Sequence, residues 1–170
     1  MAISEIKLEA KLLGNGGSLT WKPDEAQQRA SWELLVELAT RITVARLEPE
    51  GGSLREALSS YHSLFASTRD ILRRHGPAVA KRRGEVSFAY LAVWMLNGVV
   101  RPLLAKWHPR LLDHEHTRPA GVGAIAHERA WVDAPALRAD MDAAATQLTR
   151  YARVFEQVCG VPPLVPTDEG

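Results

Sequence analysis

Leu137, Met141, Ala144, Leu148, Tyr151, Phe155 and Val158 recur at alternating steps of four and three without a break. Only an α-helix gathers that spacing onto one side, so it predicts a helix near 134–159 carrying a continuous apolar seam. Asp133 stands at the N-cap position, Pro135 is tolerated in the first turn, and Gly160 ends the run. A seam this long has to be covered by other helices.

Three further segments can supply them. Ser53 and Glu56 read as a capping box, followed by Leu58, Tyr61, Phe65, Thr68 and Leu72 on one stripe. Arg73, Arg74 and His75 suit the negative helix end before Gly76-Pro77, giving a helix over 54–75. An earlier helix is expected near 23–47, opening at Pro23, with Leu35, Leu38 and Ile42 inward and Trp32 and Ala39 flanking them. The fourth runs over 87–116. Its first turns are apolar on every side, which predicts burial all round, and Pro102 and Pro109 predict kinks. Four long helices with mainly short links predict an all-α antiparallel four-helix bundle.

The first 22 residues break this pattern. Ile6, Leu8, Ala10 and Leu12 alternate, and "GNGG" separates them from "SLTW", which reads as a β-hairpin or an extended arm along the bundle. If a hairpin forms, its free edge can pair with a partner. The expected organisation is a single domain: hairpin or arm over 1–22, helical bundle over 23–159, and a loose tail over 160–170.

Net charge is +1, but residues 51–110 hold 10 basic and 3 acidic side chains. Residues 1–50 hold 6 and 8, and residues 111–170 hold 5 and 9, so the balance conceals a basic middle. The lone Cys159 excludes an internal disulfide framework and a multi-thiolate zinc site. Acids come early at the N-terminus with no apolar run like a signal peptide's, so the expected location is cytoplasmic. The apolar stretch from Phe88 to Val100 falls short of the about 20 residues a membrane span needs and is expected in a core.

Candidate sites come in three groups. On a straight helix Asn97, Arg101, His108 and Glu115 fall within about 40° of one another, a polar line fit for a network, a pocket or an interface. Trp107, between Lys106 and His108, is the tryptophan best placed by the sequence for a partner. Arg69, Arg73, Arg74, Lys81, Arg82 and Arg83 bracket the second loop as an interaction surface for acidic protein or phosphate. The third group, His114, His116, His127 and Glu128 with His108, supplies metal-ligand chemistry. It lacks the spacing: Glu-x-x-His does not occur on two helices, and His-Glu-x-x-His is absent.

No catalytic constellation is complete. Cys159 sits at a helix C-terminus, where the dipole disfavours a thiolate, and neither a Gly-x-Ser-x-Gly elbow nor a phosphate loop occurs. The expectation is a non-enzymatic interaction module, an adaptor or small subunit, without cofactor or bound metal, that meets an acidic protein surface or a second copy of itself. The alternatives are nucleic-acid or polyanion binding through the 69–83 loop, and a small metal enzyme using the histidines.

Overall fold

Asp24 starts the first helix, its carboxylate accepting from the Gln27 amide at 3.0 Å. The computed structural model describes residues 5–9, 16–41, 43, 47 and 51–165. The chain is mostly helical, with a small antiparallel sheet at its N-terminus. In order these are β1 (Ile6–Glu9), β2 (Ser18–Trp21), α1 (Glu25–Thr40), α2 (Leu54–His75), α3 (Phe88–Met95), α4 (Arg101–His116), α5 (Ala124–Arg129) and α6 (Ala134–Cys159). A short 3₁₀ segment, Gly76–Ala80, follows α2, and a π-helical turn, Leu96–Val100, joins α3 to α4.

Helix α1 is shorter than its pattern predicts, ending at Thr40 with Arg41 extended, so the expected 23–47 span is corrected to 25–40. β-branched Thr40 stands at the end of the helix, where its hydroxyl donates to the Val36 carbonyl at 2.7 Å. Ile42 lies outside the described residues. Leu34, Leu35 and Leu38 are fully buried, each contributing on the order of 1.5–3 kcal/mol through loss of apolar surface. α1 packs most extensively on α6 and next on α2, while α2 and α6 both meet α4. Phe88 and Phe155 cross in this core with centroids 5.8 Å apart.

The distortion expected at Pro102 takes the form of the π turn. Proline cannot donate to the helix and its ring crowds the carbonyl four residues back; the wider turn, closed by the Arg101 amide to the Leu96 carbonyl, accommodates it. Pro109 sits inside α4 without ending it. Among the described residues, Phe88–His116 is long and apolar enough to cross a membrane by length and composition, with 39% of its most apolar window buried.

The hairpin forms, pairing Ile6 with Trp21 and Leu8 with Leu19 and burying Ile6, Leu8 and Trp21. Ala10, Leu12 and most of the turn lie outside the described residues. The β2 edge is occupied: the Lys22 amide donates to the Arg83 carbonyl and the Glu85 amide to the Thr20 carbonyl, both at 2.8 Å. Gly84 makes this possible. Its φ is +90°, and a Cβ there would stand 2.5 Å from the Thr20 oxygen.

Two local expectations are corrected. Asp133 occupies the N-cap of α6 but makes no capping bond; its carboxylate faces Arg110 at 3.9 Å instead. The segment after Gly160 is anchored, not loose, as far as Val165. The Glu156 carboxylate accepts from the Leu164 and Val165 amides at 2.7 and 3.1 Å, and Val165 is buried. Backbone amides paired with a buried carboxylate hold a short segment that propensity alone would release.

Candidate functional site

The polar line of α4 meets a matching line on α2. Arg101, His108 and Glu115 recur every seven residues, and so do Arg55, His62 and Arg69. The two helices run antiparallel, so the sets register in reverse order. Arg55 Nε and Nη2 donate to the two Glu115 oxygens at 2.7 and 2.8 Å, a bidentate pair. The His62 and His108 rings lie 5.8 Å apart, and the Arg69 and Arg101 guanidiniums stand 5.5 and 5.3 Å from the Phe65 ring centre. Arg101 Nε also donates to Asn97 Oδ1 at 3.0 Å, which completes the predicted line. The α2 half of this seam was missed, although its sevenfold spacing is equally plain in the sequence.

His108 lies on the inner side of the seam, and its Nε2 is buried without a hydrogen-bond partner. Burial pushes its pKa below the ordinary histidine value and the Arg55 charge adds to this; the Leu58 carbonyl and Glu115 pull in the opposite direction.

The six cations around the second loop divide. Arg74 and His75 both bond Glu33, Arg83 Nε bonds Asp24 at 2.8 Å, and Arg73 faces Asp70 at 3.5 Å. Burial works to raise the Glu33 carboxyl, but the hydrogen bonds from Arg74 and His75 outweigh it and leave the pKa lowered. Lys81 is exposed. Arg69 and Arg82 instead lie against aromatic rings, Arg82 at 6.0 Å from the centre of Tyr90.

Tyr90 belongs to a surface that the sequence placed in the core. α3 buries Phe88, Leu91, Ala92 and Met95, but Tyr90, Val93 and Trp94 are 38%, 43% and 40% exposed. Tyr90 and Trp94 stack with centroids 6.0 Å apart. The expectation of burial on all sides is therefore corrected: neighbours cover only one side of this apolar helix, and a tyrosine, a valine and a tryptophan face outward. Trp107 goes the other way. It is 1% exposed, and its indole Nε1 donates to Asp140 Oδ2 at 2.8 Å, so it packs in the core instead of at a surface.

The histidine cluster is committed to structure. His114 and His127 stack at 3.9 Å and His116 is exposed on the last turn of α4. Glu128 is buried and turns its carboxylate onto the start of α2, accepting from the Leu54 and Arg55 amides at 2.7 and 3.1 Å. Among the described residues no three His, Cys, Asp or Glu side chains gather closely enough to hold a metal ion.

Cys159 donates its thiol to the Gln28 carbonyl at 3.7 Å, and burial pushes its pKa up to about 11. No protein-family model, curated protein or solved structure matches the chain.

Proposed function

We propose that the chain is a non-enzymatic interaction module, an adaptor or small subunit, built as an antiparallel four-helix bundle of α1, α2, the continuous α3–α4 helix and α6. The bundle reading is supported by the cycle of packing in which α1 meets α2 and α6 and both of these meet α4. The docking surface is the outer face of α3. The observation that carries it is the cluster of Tyr90, Val93 and Trp94, exposed on the most apolar helix of the chain. Tryptophan and tyrosine concentrate binding energy where they are covered by a partner.

The partner is a protein surface that is apolar at its centre and carries carboxylates at its margin. Arg82 flanks the cluster through Tyr90, and Arg101 lies two turns beyond Trp94, so both can meet acids at the rim. A photo-crosslinking residue at Val93 in source cells should give one discrete adduct that Trp94→Glu abolishes. The same residue at Val132, which is 87% exposed elsewhere, should not give it. Equal labelling from both positions, or adducts to lipid alone, would overturn the reading. Sedimentation of the purified chain identifies a second copy as the partner if Trp94→Glu dissolves a dimer.

A second reading, polyanion binding, is favoured by one observation: Arg82 lies beside the stacked Tyr90 and Trp94, an arrangement on which exposed nucleic-acid bases can stack. The pairing of Arg74 and Arg83 with carboxylates weighs against it. Salt-dependent binding to random single-stranded oligonucleotides, lost in the Arg82→Ala/Arg83→Ala double variant, is its expected result. No binding at low salt discards it.

A further inference from the structure

Between α2 and α4 lies an open groove of about 450 Å³, lined by His62, Phe65, Arg69, Arg101, Leu104 and His108 among others. That volume lies within the range that small-molecule sites occupy. Its floor is apolar, with the half-buried Phe65 and buried Leu104. Its two ends differ in chemistry.

At one end Arg69 and Arg101 share the Phe65 ring. Both guanidiniums thus stand at one end of the groove, with donors available to an anion. Arg55, Arg74 and Arg83 each meet a carboxylate. Among the described residues Arg69 and Arg101 meet none, and the Asn97 amide oxygen occupies only one Arg101 donor. The nearest acid along α2, Asp70, faces Arg73. At the other end stand His62 and His108, the latter with its buried, unpartnered Nε2.

We propose that this groove is a binding site for a small organic oxyanion, a carboxylate or phosphate carried on a compact apolar body. The oxyanion sits between Arg69 and Arg101, whose planar forks match either group. The apolar body lies on Phe65 and Leu104, and the exposed His62 imidazole meets whatever polar atom it carries at its far end, with the His108 ring packed behind it. The site uses neither Tyr90 nor Trp94 and shares only Arg101 with the rim of the α3 docking face, so it stands without that reading.

Benzoate, phenyl phosphate, inorganic phosphate and the neutral benzyl alcohol are the probes, followed by calorimetry and by the imidazole signals of His62 and His108 in NMR spectra. Benzoate or phenyl phosphate should bind saturably and shift both imidazoles, while benzyl alcohol does not. Which of the two binds identifies the anion, and inorganic phosphate binding more weakly than phenyl phosphate marks the apolar contribution. Arg69→Gln and Arg101→Gln, both at exposed positions that leave the core intact, should each weaken binding about tenfold. Trp94→Glu should leave it unchanged. The proposal is overturned if neither aromatic anion shifts the imidazoles, or if binding persists unweakened in the Arg69→Gln/Arg101→Gln double variant.

Discussion

His114 and His127 hold each other. His114 Nε2 donates to the His127 carbonyl at 2.9 Å, and His127 Nε2 donates to the His114 carbonyl at 2.8 Å. Because a carbonyl only accepts, both rings carry hydrogen on Nε2. The rings lie nearly parallel, 4° apart, and Trp131 stacks on His114 at 5.3 Å. The end of α4 is thereby fastened to α5. Both Nε2 atoms are committed to backbone carbonyls.

His127→Ala removes one of these donors and the stacked ring together. The expected cost is about 1–2 kcal/mol in urea unfolding, because the rings lose their contact and the His114 carbonyl keeps only its donors from Thr117. His127→Phe keeps a ring but no donor, and should fall between wild type and the alanine variant. Identical midpoints for all three proteins would mean that the reciprocal pair holds nothing.

Glu128 makes a second, sharper case. Its carboxylate satisfies the Leu54 and Arg55 amides at the positive end of α2 and also accepts from the Ser53 hydroxyl at 3.3 Å. Glu128→Ala would strand buried donors and is expected to cost about 2–3 kcal/mol. Glu128→Gln keeps one acceptor but no charge, so roughly half of that loss should return. Hydrogen exchange at Leu54 and Arg55 should speed up in the alanine variant while the middle of α6 stays protected. If those amides are unchanged, Glu128 does not cap α2.

These two contacts also mark what the sequence could reveal. The α6 seam and the stripe of α2 were readable because apolar spacing at 3.6 residues per turn reports directly on which face is buried. Ser53 caps α2 through the Glu56 amide at 3.2 Å, which is one half of the predicted capping box. Nothing local announces that Glu128, 74 residues from Leu54, completes that cap. Gln27 is similar. It is fully buried, accepts from the Trp21 indole at 2.8 Å and the Phe88 amide at 3.0 Å, and donates to the Lys81 carbonyl at 3.2 Å. It joins the hairpin, α1, α3 and the intervening loop, yet in sequence it is one glutamine near a helix start. The outward face of α3 was illegible for a different reason: an apolar helix has the same composition whether a neighbour in the chain or a separate partner covers it.

Cys159 tests burial chemically. With its pKa raised to about 11, the thiol holds about a hundredfold less thiolate near neutral pH than an ordinary cysteine. Iodoacetamide labelling of the folded chain should therefore be slower by at least that factor than labelling in urea at the same pH. Equal rates in the two conditions would show that the thiol is free of the Gln28 carbonyl and open to solvent.

Asp140 offers a test by pH. The hydrogen bond from Lys106 at 2.7 Å, then that from the Trp107 indole, hold its carboxyl below the usual aspartate pKa, against a smaller upward pull from burial. The folded chain therefore holds this proton less tightly than the unfolded chain does. The resulting stability is fully present above the ordinary aspartate range and is lost as pH falls through the lower folded value. Asp140 and Lys106 are both partly exposed, so the effect is screened and modest. Asp140→Asn should flatten part of the acid limb of a stability–pH curve below the ordinary aspartate range. It should also destabilise near neutral pH, where the buried Trp107 indole would lose its charged acceptor. The Lys106→Met variant separates the two partners: it should flatten the same limb while keeping the indole bond. An acid limb that is unchanged in both variants would show that Asp140 is not the group linking protonation to the α4–α6 contact.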